Sequence, residues 1–128
     1  MKIILVGYMA SGKSTIGKLL SESLHIPFYD LDLLIEINLN LKVNEIFEQK
    51  GELFFRKKER EVLEQFLNTT DNYVLALGGG TPCYYDNFEL YQSSSIHSIY
   101  LKASLSTLLE RLRHQKASRP LVSRFNEE

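Results

Sequence analysis

Cys83 is the only cysteine in the chain, which rules out an internal disulfide and points to a reducing cytoplasm. Histidine is sparse. His25, His97 and His114 stand far apart with no metal-ligand spacing, so each reads as a surface or packing residue. The charges nearly cancel, 15 Lys and Arg against 16 Asp and Glu. That excludes a global basic field of the kind that recruits nucleic acid or anionic lipid. No apolar run is long enough to span a membrane, and the start, Met1-Lys2-Ile3, lacks the apolar length of a signal peptide. There is no internal repeat and no low-complexity linker. What remains is 128 residues, 44% hydrophobic and 24% charged, which suits a single soluble domain with a real core.

Against that plain background one stretch is highly specific. Gly7-Tyr8-Met9-Ala10-Ser11-Gly12-Lys13-Ser14 fits the phosphate-loop pattern G-x-x-x-x-G-K-[ST] at every fixed position. The β-branched run Lys2-Ile3-Ile4-Leu5-Val6 precedes it, and Ile16, Leu19, Leu20 and Leu24 follow at helical spacing. Strand, glycine turn and helix together turn backbone N–H groups and a positive helix end toward phosphate oxygens. Lys13 adds a full charge near the β- and γ-phosphates, and the Ser14 hydroxyl can ligate Mg²⁺.

Further along, a second strand is expected at Ile26-Pro27-Phe28-Tyr29, ending on Asp30-Leu31-Asp32. Two carboxylates two residues apart in extended chain share one side, at the strand end where open α/β sheets bind ligands. One would stand near the metal and the other on a substrate hydroxyl. The competing reading is that Asp30 or Asp32 merely caps the helix suggested by Leu33, Leu34, Ile35 and Ile37. A short helix is expected over 43–49 with Gly51 as its C-cap. A longer one follows from Glu52 to Leu67, with Phe55, Val62, Leu63, Phe66 and Leu67 inward. On it, Arg56, Glu59 and Arg60 are either a solvated charged face or a carboxylate-binding arginine held by Glu59.

Tyr73-Val74-Leu75-Ala76-Leu77 reads as a strand buried on both faces, breaking into Gly78-Gly79-Gly80-Thr81-Pro82. Three successive glycines are entropically costly, so either a ligand approaches bare backbone there or the segment is a plain turn. Cys83 has no nearby His or second Cys and reads as structural. Asp86 or Asn87 can cap a helix through Tyr91. Ile96–Leu101 reads as a strand, and Ser104 opens a helix carrying Leu105, Leu108, Leu109 and Leu112. The basic stretch from Arg111 to Leu121 is either a lid bringing Arg119 to a phosphate or a solvated helix end. It lacks the interleaved aromatics of a nucleic-acid patch.

Taken in order, these segments resemble the shikimate kinase family. The matching strings are Gly7 to Thr15, then Phe28-Tyr29-Asp30-Leu31-Asp32 leading to Ile35-Glu36. Glu45-Ile46-Phe47 follows, then Gly51-Glu52 with Phe55-Arg56 and Glu59, the triple glycine 78–80, and Arg119-Pro120-Leu121. The resemblance implies a three-layer α/β/α phosphate-loop kinase fold with a parallel sheet in the order 2-3-1-4. A fifth strand would lie past Glu128, with further helices. It implies one domain over 1–128: a core of 1–30 and 70–110, a substrate-binding helical region of 31–68, and a lid of 111–124.

The implied activity is ATP-dependent, Mg²⁺-requiring phosphorylation of the 3-hydroxyl of shikimate, on the route to chorismate and the aromatic amino acids, by a cytoplasmic monomer. Ala10, Ser11, Gly12, Lys13, Ser14, Thr15 and Arg119 would contact ATP, with Lys13, Asp32 and Arg119 carrying catalysis. Ser14 and, through water, Asp30 would serve the metal. Asp32, Arg56 and Gly78, Gly79 and Gly80 would hold shikimate, with Glu59 orienting Arg56. The sequence departs from the family at Ala10, usually glycine there, and the resemblance implies a second carboxylate-binding arginine past Glu128, a role for which Arg124 lies close to the lid. Two other readings of the same motifs are a different small-metabolite kinase, such as a gluconate kinase, and a non-catalytic nucleotide-binding remnant.

Overall fold

A computed structural model describes residues 1–7, 12–85, 87–101 and 110 of the chain. Four parallel strands form its centre: β1 (Lys2–Gly7), β2 (Phe28–Asp30), β3 (Tyr73–Ala76) and β4 (Ile96–Leu101). Their order is β2-β3-β1-β4, as expected. β1 lies in the middle, pairing Ile3 with Val74 on one side and with His97 on the other. A parallel sheet must hide both faces, and β1 from Ile3 to Val6 and the whole of β3 are apolar and buried for that reason.

Alternation along β1 sorts the core into two layers. Ile3 and Leu5 face helix α1 (Lys13–Leu24), meeting Ile16 and Leu20 together with Val74 and Leu101. Ile4 and Val6 face the other way, into a larger cluster with Tyr73, Leu75 and Leu77. That cluster is closed by Leu31 and Ile35 of α2 (Leu31–Leu39), Ile46 of α3 (Val43–Lys50), and Phe55, Leu63 and Phe66 of α4 (Glu52–Thr69). Phe66 stands edge-on to both Tyr29 and Tyr73, at 4.9 Å between ring centres in each case.

The helix ends follow local chemistry. Gly51 has φ 87 and both ends α3 and opens α4, a conformation that a side chain would strain. Glu45 reaches back to accept the Lys42 N–H at 2.9 Å at the start of α3. After β3 the chain makes a single 3₁₀ turn at Thr81–Cys83 and a short helix α5 (Asn87–Leu90).

Two expectations need adjustment. The second strand starts at Phe28, because the Pro27 carbonyl pairs with Val74 N–H while proline itself has nothing to donate. Val62 and Leu67 pack at the edge of the core, and the buried stripe of α4 includes the charged residue Glu59. Cys83, read as structural from the sequence, is exposed. Among the described residues no helix is long and apolar enough to cross a membrane. The helix expected from Ser104 and the segment 111–124 lie outside the described residues.

Candidate active site

The C-terminal ends of β1, β2 and β3 open on one side of the sheet, and the expected site residues that are described gather there. Gly12 takes φ 84 just before α1 and its carbonyl accepts the Ile16 N–H at 2.9 Å, so the loop must turn left-handed where the helix begins. Lys13, Ser14 and Thr15 form the first turn of α1, with Ser14 and Thr15 exposed. The Lys13 ammonium donates to the Gly7 carbonyl at the other end of the loop. Burial lowers the Lys13 pKa, while Asp32 and Asp30 act in the opposite direction. Lys13 and the two aspartates therefore share one electrostatic site. Ala10, Ser11 and Arg119 lie outside the described residues.

Asp30 and Asp32 differ from the extended pair that their spacing suggests. The chain passes from strand to helix between them. Asp30 ends β2 in extended conformation, and its Oδ1 accepts the N–H groups of Asp32 at 2.9 Å and Leu33 at 3.4 Å. It is an N-cap, as the bland reading held, and the cap itself forces the chain into α2. Asp32 lies in the first helical turn and is half-buried. Burial, then the charges of Asp30, Glu59 and Glu36, push its pKa up to about 6, with Arg56 pulling the other way.

The triple glycine packs against these side chains. A Cβ on Gly78 would stand 3.1 Å from Asp32 Oδ1 and 3.1 Å from Thr81 Oγ1. A Cβ on Gly80 would stand 2.8 Å from Arg56 Nη2, and one on Gly79 would meet open space. Two of the three glycines thus make room for Asp32 and Arg56, while Gly79 lies exposed between them.

Arg56 is held on several sides. Its Nη1 donates to Glu59 at 3.1 and 3.3 Å. The Tyr84 ring lies 4.2 Å from its guanidinium carbon and the Phe55 ring 5.3 Å. Tyr84 is fixed in turn by its hydroxyl, which donates to Glu52 Oε1 at 3.1 Å. Glu59 is fully buried and also accepts the Thr81 hydroxyl at 2.8 Å, so this cluster is no solvated face. Arg60 reaches the Tyr85 carbonyl at 2.6 Å, Asn87 Oδ1 at 3.5 Å and Glu64 at 3.8 Å.

Sequence reasoning missed Thr81, Tyr84 and Asn87 as parts of this cluster. Of the two expected caps, Asp86 lies outside the described residues, and Asn87 is fully buried at the start of α5 and donates to the Thr81 carbonyl at 2.8 Å. Nothing local distinguishes a threonine or asparagine in a turn from one that holds an arginine twenty-odd residues away.

A phosphate-loop motif following the central strand of a 2-3-1-4 parallel sheet, with Asp30 ending β2 and Asp32 and Arg56 against the glycines after β3, defines the phosphate-loop kinase class. The profile described as "Shikimate kinase" matches residues 9–128. A shikimate kinase from Flavobacterium psychrophilum is 56% identical over 121 residues, covering 94% of this chain and 70% of that enzyme. The crystal structure of the Bacteroides thetaiotaomicron shikimate kinase superposes with a TM-score of 0.77 at 38% identity, covering 95% of this chain and 68% of that one. Shikimate kinase from Acinetobacter baumannii in complex with shikimate gives 0.76 at 35% identity, over 94% and 65% respectively. The chain belongs to the shikimate kinase family.

Proposed function

We propose that this chain transfers the γ-phosphoryl group of ATP to the 3-hydroxyl of shikimate, giving shikimate 3-phosphate and ADP. The observation that carries the reading is the contact of Asp32 and Arg56 with one glycine segment, Gly78–Gly80, beside the phosphate loop. An acceptor that is both a polyol and a carboxylate needs an acid for its hydroxyls and an arginine for its carboxylate. Arg56 has Nη1 engaged by Glu59, which leaves Nε and Nη2 as the side-on fork for a planar carboxylate. Among the described residues its buried Nε has no hydrogen-bond partner, a donor that a ligand oxygen would satisfy. Gly78, Gly79 and Gly80 keep the backbone close to the acceptor.

Phosphoryl transfer asks mainly for alignment and neutralised charge. Lys13 supplies charge at the β- and γ-phosphates, with Gly12, Ser14, Thr15, Ala10 and Ser11 along the same groups. Asp32 orients the 3-hydroxyl and accepts its proton as the oxygen–phosphorus bond forms and the bond to ADP breaks. Its raised pKa suits a group that must both take up and give back a proton near neutrality. By resemblance, Arg119 adds charge from a lid of 111–124, closing over a core of 1–30 and 70–110 and a substrate-binding region of 31–68.

The oxygen donors Ser14 and Asp30 fit Mg²⁺. Among the described residues no group of three or more His, Cys, Asp or Glu is set to hold a metal. Mg²⁺ bound mostly by water and phosphate needs only one or two protein oxygens. Ser14 would ligate it directly and Asp30 through water; when bound it neutralises phosphate charge. The proposed setting is the cytoplasm and the proposed state a monomer.

A coupled ATP assay with shikimate and gluconate as rival acceptors tests the reading. Turnover is expected with shikimate. Turnover with gluconate alone would overturn it in favour of another metabolite kinase, and nucleotide binding without transfer to either acceptor would favour the non-catalytic reading.

A further inference from the structure

Arg56 is oriented by Glu59, but Glu59 itself requires an explanation. It is a carboxylate with no solvent contact, on the inward stripe of an amphipathic helix. A charge in that position is costly unless each oxygen has a donor. Arg56 Nη1 reaches both oxygens, Oε1 at 3.1 Å and Oε2 at 3.3 Å. The shorter contact to Oε2 comes from elsewhere: Thr81 Oγ1, at 2.8 Å, across 22 residues of sequence.

Thr81 is itself fully buried and held through its backbone. Its N–H donates to the Gly78 carbonyl at 3.2 Å, and its carbonyl accepts from Asn87 Nδ2 at 2.8 Å. Arg60 Nη1 braces the same corner, 2.6 Å from the Tyr85 carbonyl and 3.5 Å from Asn87 Oδ1. A continuous run of contacts therefore leads from α5 through Thr81 and Glu59 to Arg56. It also closes on itself, because Gly80, next to Thr81, packs against Arg56 Nη2.

The geometry points to Thr81 as a positioning residue that sets the orientation of Arg56 through Glu59, and so governs affinity for the acceptor's carboxylate. This inference rests on the proposed function for the identity of the acceptor. Among the described residues the Thr81 hydroxyl donates to Glu59, and the same oxygen packs beside Gly78, where a Cβ would stand 3.1 Å from it. Without that hydroxyl, Glu59 Oε2 keeps Nη1 as its remaining donor among the described residues. The carboxylate then swings toward Nη1, and the guanidinium plane tilts with it off the Tyr84 ring. The fork presented to a planar carboxylate loses its alignment, whereas the phosphate loop is unaffected.

The test compares Thr81→Val, which keeps the shape and removes the donor, with Thr81→Ser, which keeps the donor. Thr81→Val is expected to raise KM for shikimate roughly ten-fold, the effect of losing one hydrogen bond to a charged group, with KM for ATP unchanged. Thr81→Ser should stay close to wild type. An acceptor with the carboxylate replaced by hydroxymethyl should bind wild type and Thr81→Val alike. Equal loss for both acceptors, equal loss for ATP, or Thr81→Ser behaving as the valine variant would each overturn the proposal.

A second readout needs no substrate. In ¹⁵N spectra the Arg56 guanidinium should show slow rotation and separate Nη signals in wild type, collapsing to fast exchange in Thr81→Val. Unchanged rotation would overturn the proposal. If the wild-type protein does not use shikimate, the proposed function fails while the spectra still decide the role of Thr81. Thr81→Ala, which adds no methyl group in place of the hydroxyl, replaces the valine variant if that one does not fold.

Discussion

Gly78, Gly79 and Gly80 are identical in sequence and unlike in surroundings. None has the positive φ that Gly12 and Gly51 share, so steric contact decides what each tolerates. A methyl group on Gly80 meets Arg56 Nη2 at 2.8 Å, and a guanidinium wedged between Tyr84 and Glu59 has little room to retreat. A methyl group on Gly79 meets nothing within 4 Å. Gly80→Ala is therefore expected to raise KM for shikimate by roughly ten-fold or more, since a misplaced bidentate contact to a charged group is worth at least about 1.4 kcal/mol. Gly79→Ala should fold with unchanged urea-unfolding stability, so denaturant titration of both variants separates crowding at Arg56 from a general intolerance of the turn. Their difference could not be read from three consecutive glycines, because it comes from side chains on α2 and α4.

The same logic applies to elements, with α1 as the clearest case. Its register against the sheet depends on Gly17, where a Cβ would lie 2.3 Å from Phe28 Cε1 and 3.1 Å from Leu5 Cδ1. A glycine inside a helix costs about 1 kcal/mol relative to alanine, so close packing must repay it. Gly17→Val gains little propensity and forces two bulky methyl groups against β2. It is expected to destabilise the fold by about 2–3 kcal/mol, lowering the urea midpoint, because overpacked cores typically lose about 1–3 kcal/mol. An unchanged midpoint would mean that α1 can lift from the sheet without cost. The bounds of α1, β1 and β4 were legible in advance because apolar periodicity and the glycine turn are local signals. The division of labour between Asp30 and Asp32 was not, since both a cap and a ligand-binding acid satisfy the same local pattern.

At the scale of the whole molecule, the site costs stability. Asp32 has an ordinary pKa near 3.8 when unfolded and about 6 when folded, chiefly because burial disfavours its charge. Between those values the native state holds a proton that the unfolded chain has released, so stability falls as pH rises from about 4 to about 6 and stays reduced above. A shift of this size corresponds to about 3 kcal/mol; solvent access to Asp32 discounts that to roughly 1–2 kcal/mol. Asp32→Asn should be more stable than wild type at pH 7–8 by that amount, with the gap closing below pH 4, while phosphoryl transfer is lost. Wild-type turnover should rise through about pH 6 as Asp32 deprotonates. Thermal unfolding across pH 4–8 checks the first expectation and a pH–rate profile the second; an Asp32→Asn protein no more stable at pH 7 would refute the burial argument.

By itself the sequence determined the phosphate loop and which residue types stand at the strand ends, while the sheet order came from the family resemblance. Those are properties of contiguous segments, where one turn or one strand contains the whole signal. Only the tertiary structure decided that Glu59 is buried, that Thr81, Tyr84 and Asn87 brace Arg56, and that Gly78 and Gly80 make room for Asp32 and Arg56. Each of these depends on α4 and the segment after β3 meeting across the face of the sheet. No local pattern records such a meeting, because a buried charge and an exposed one look alike until the elements around them have packed.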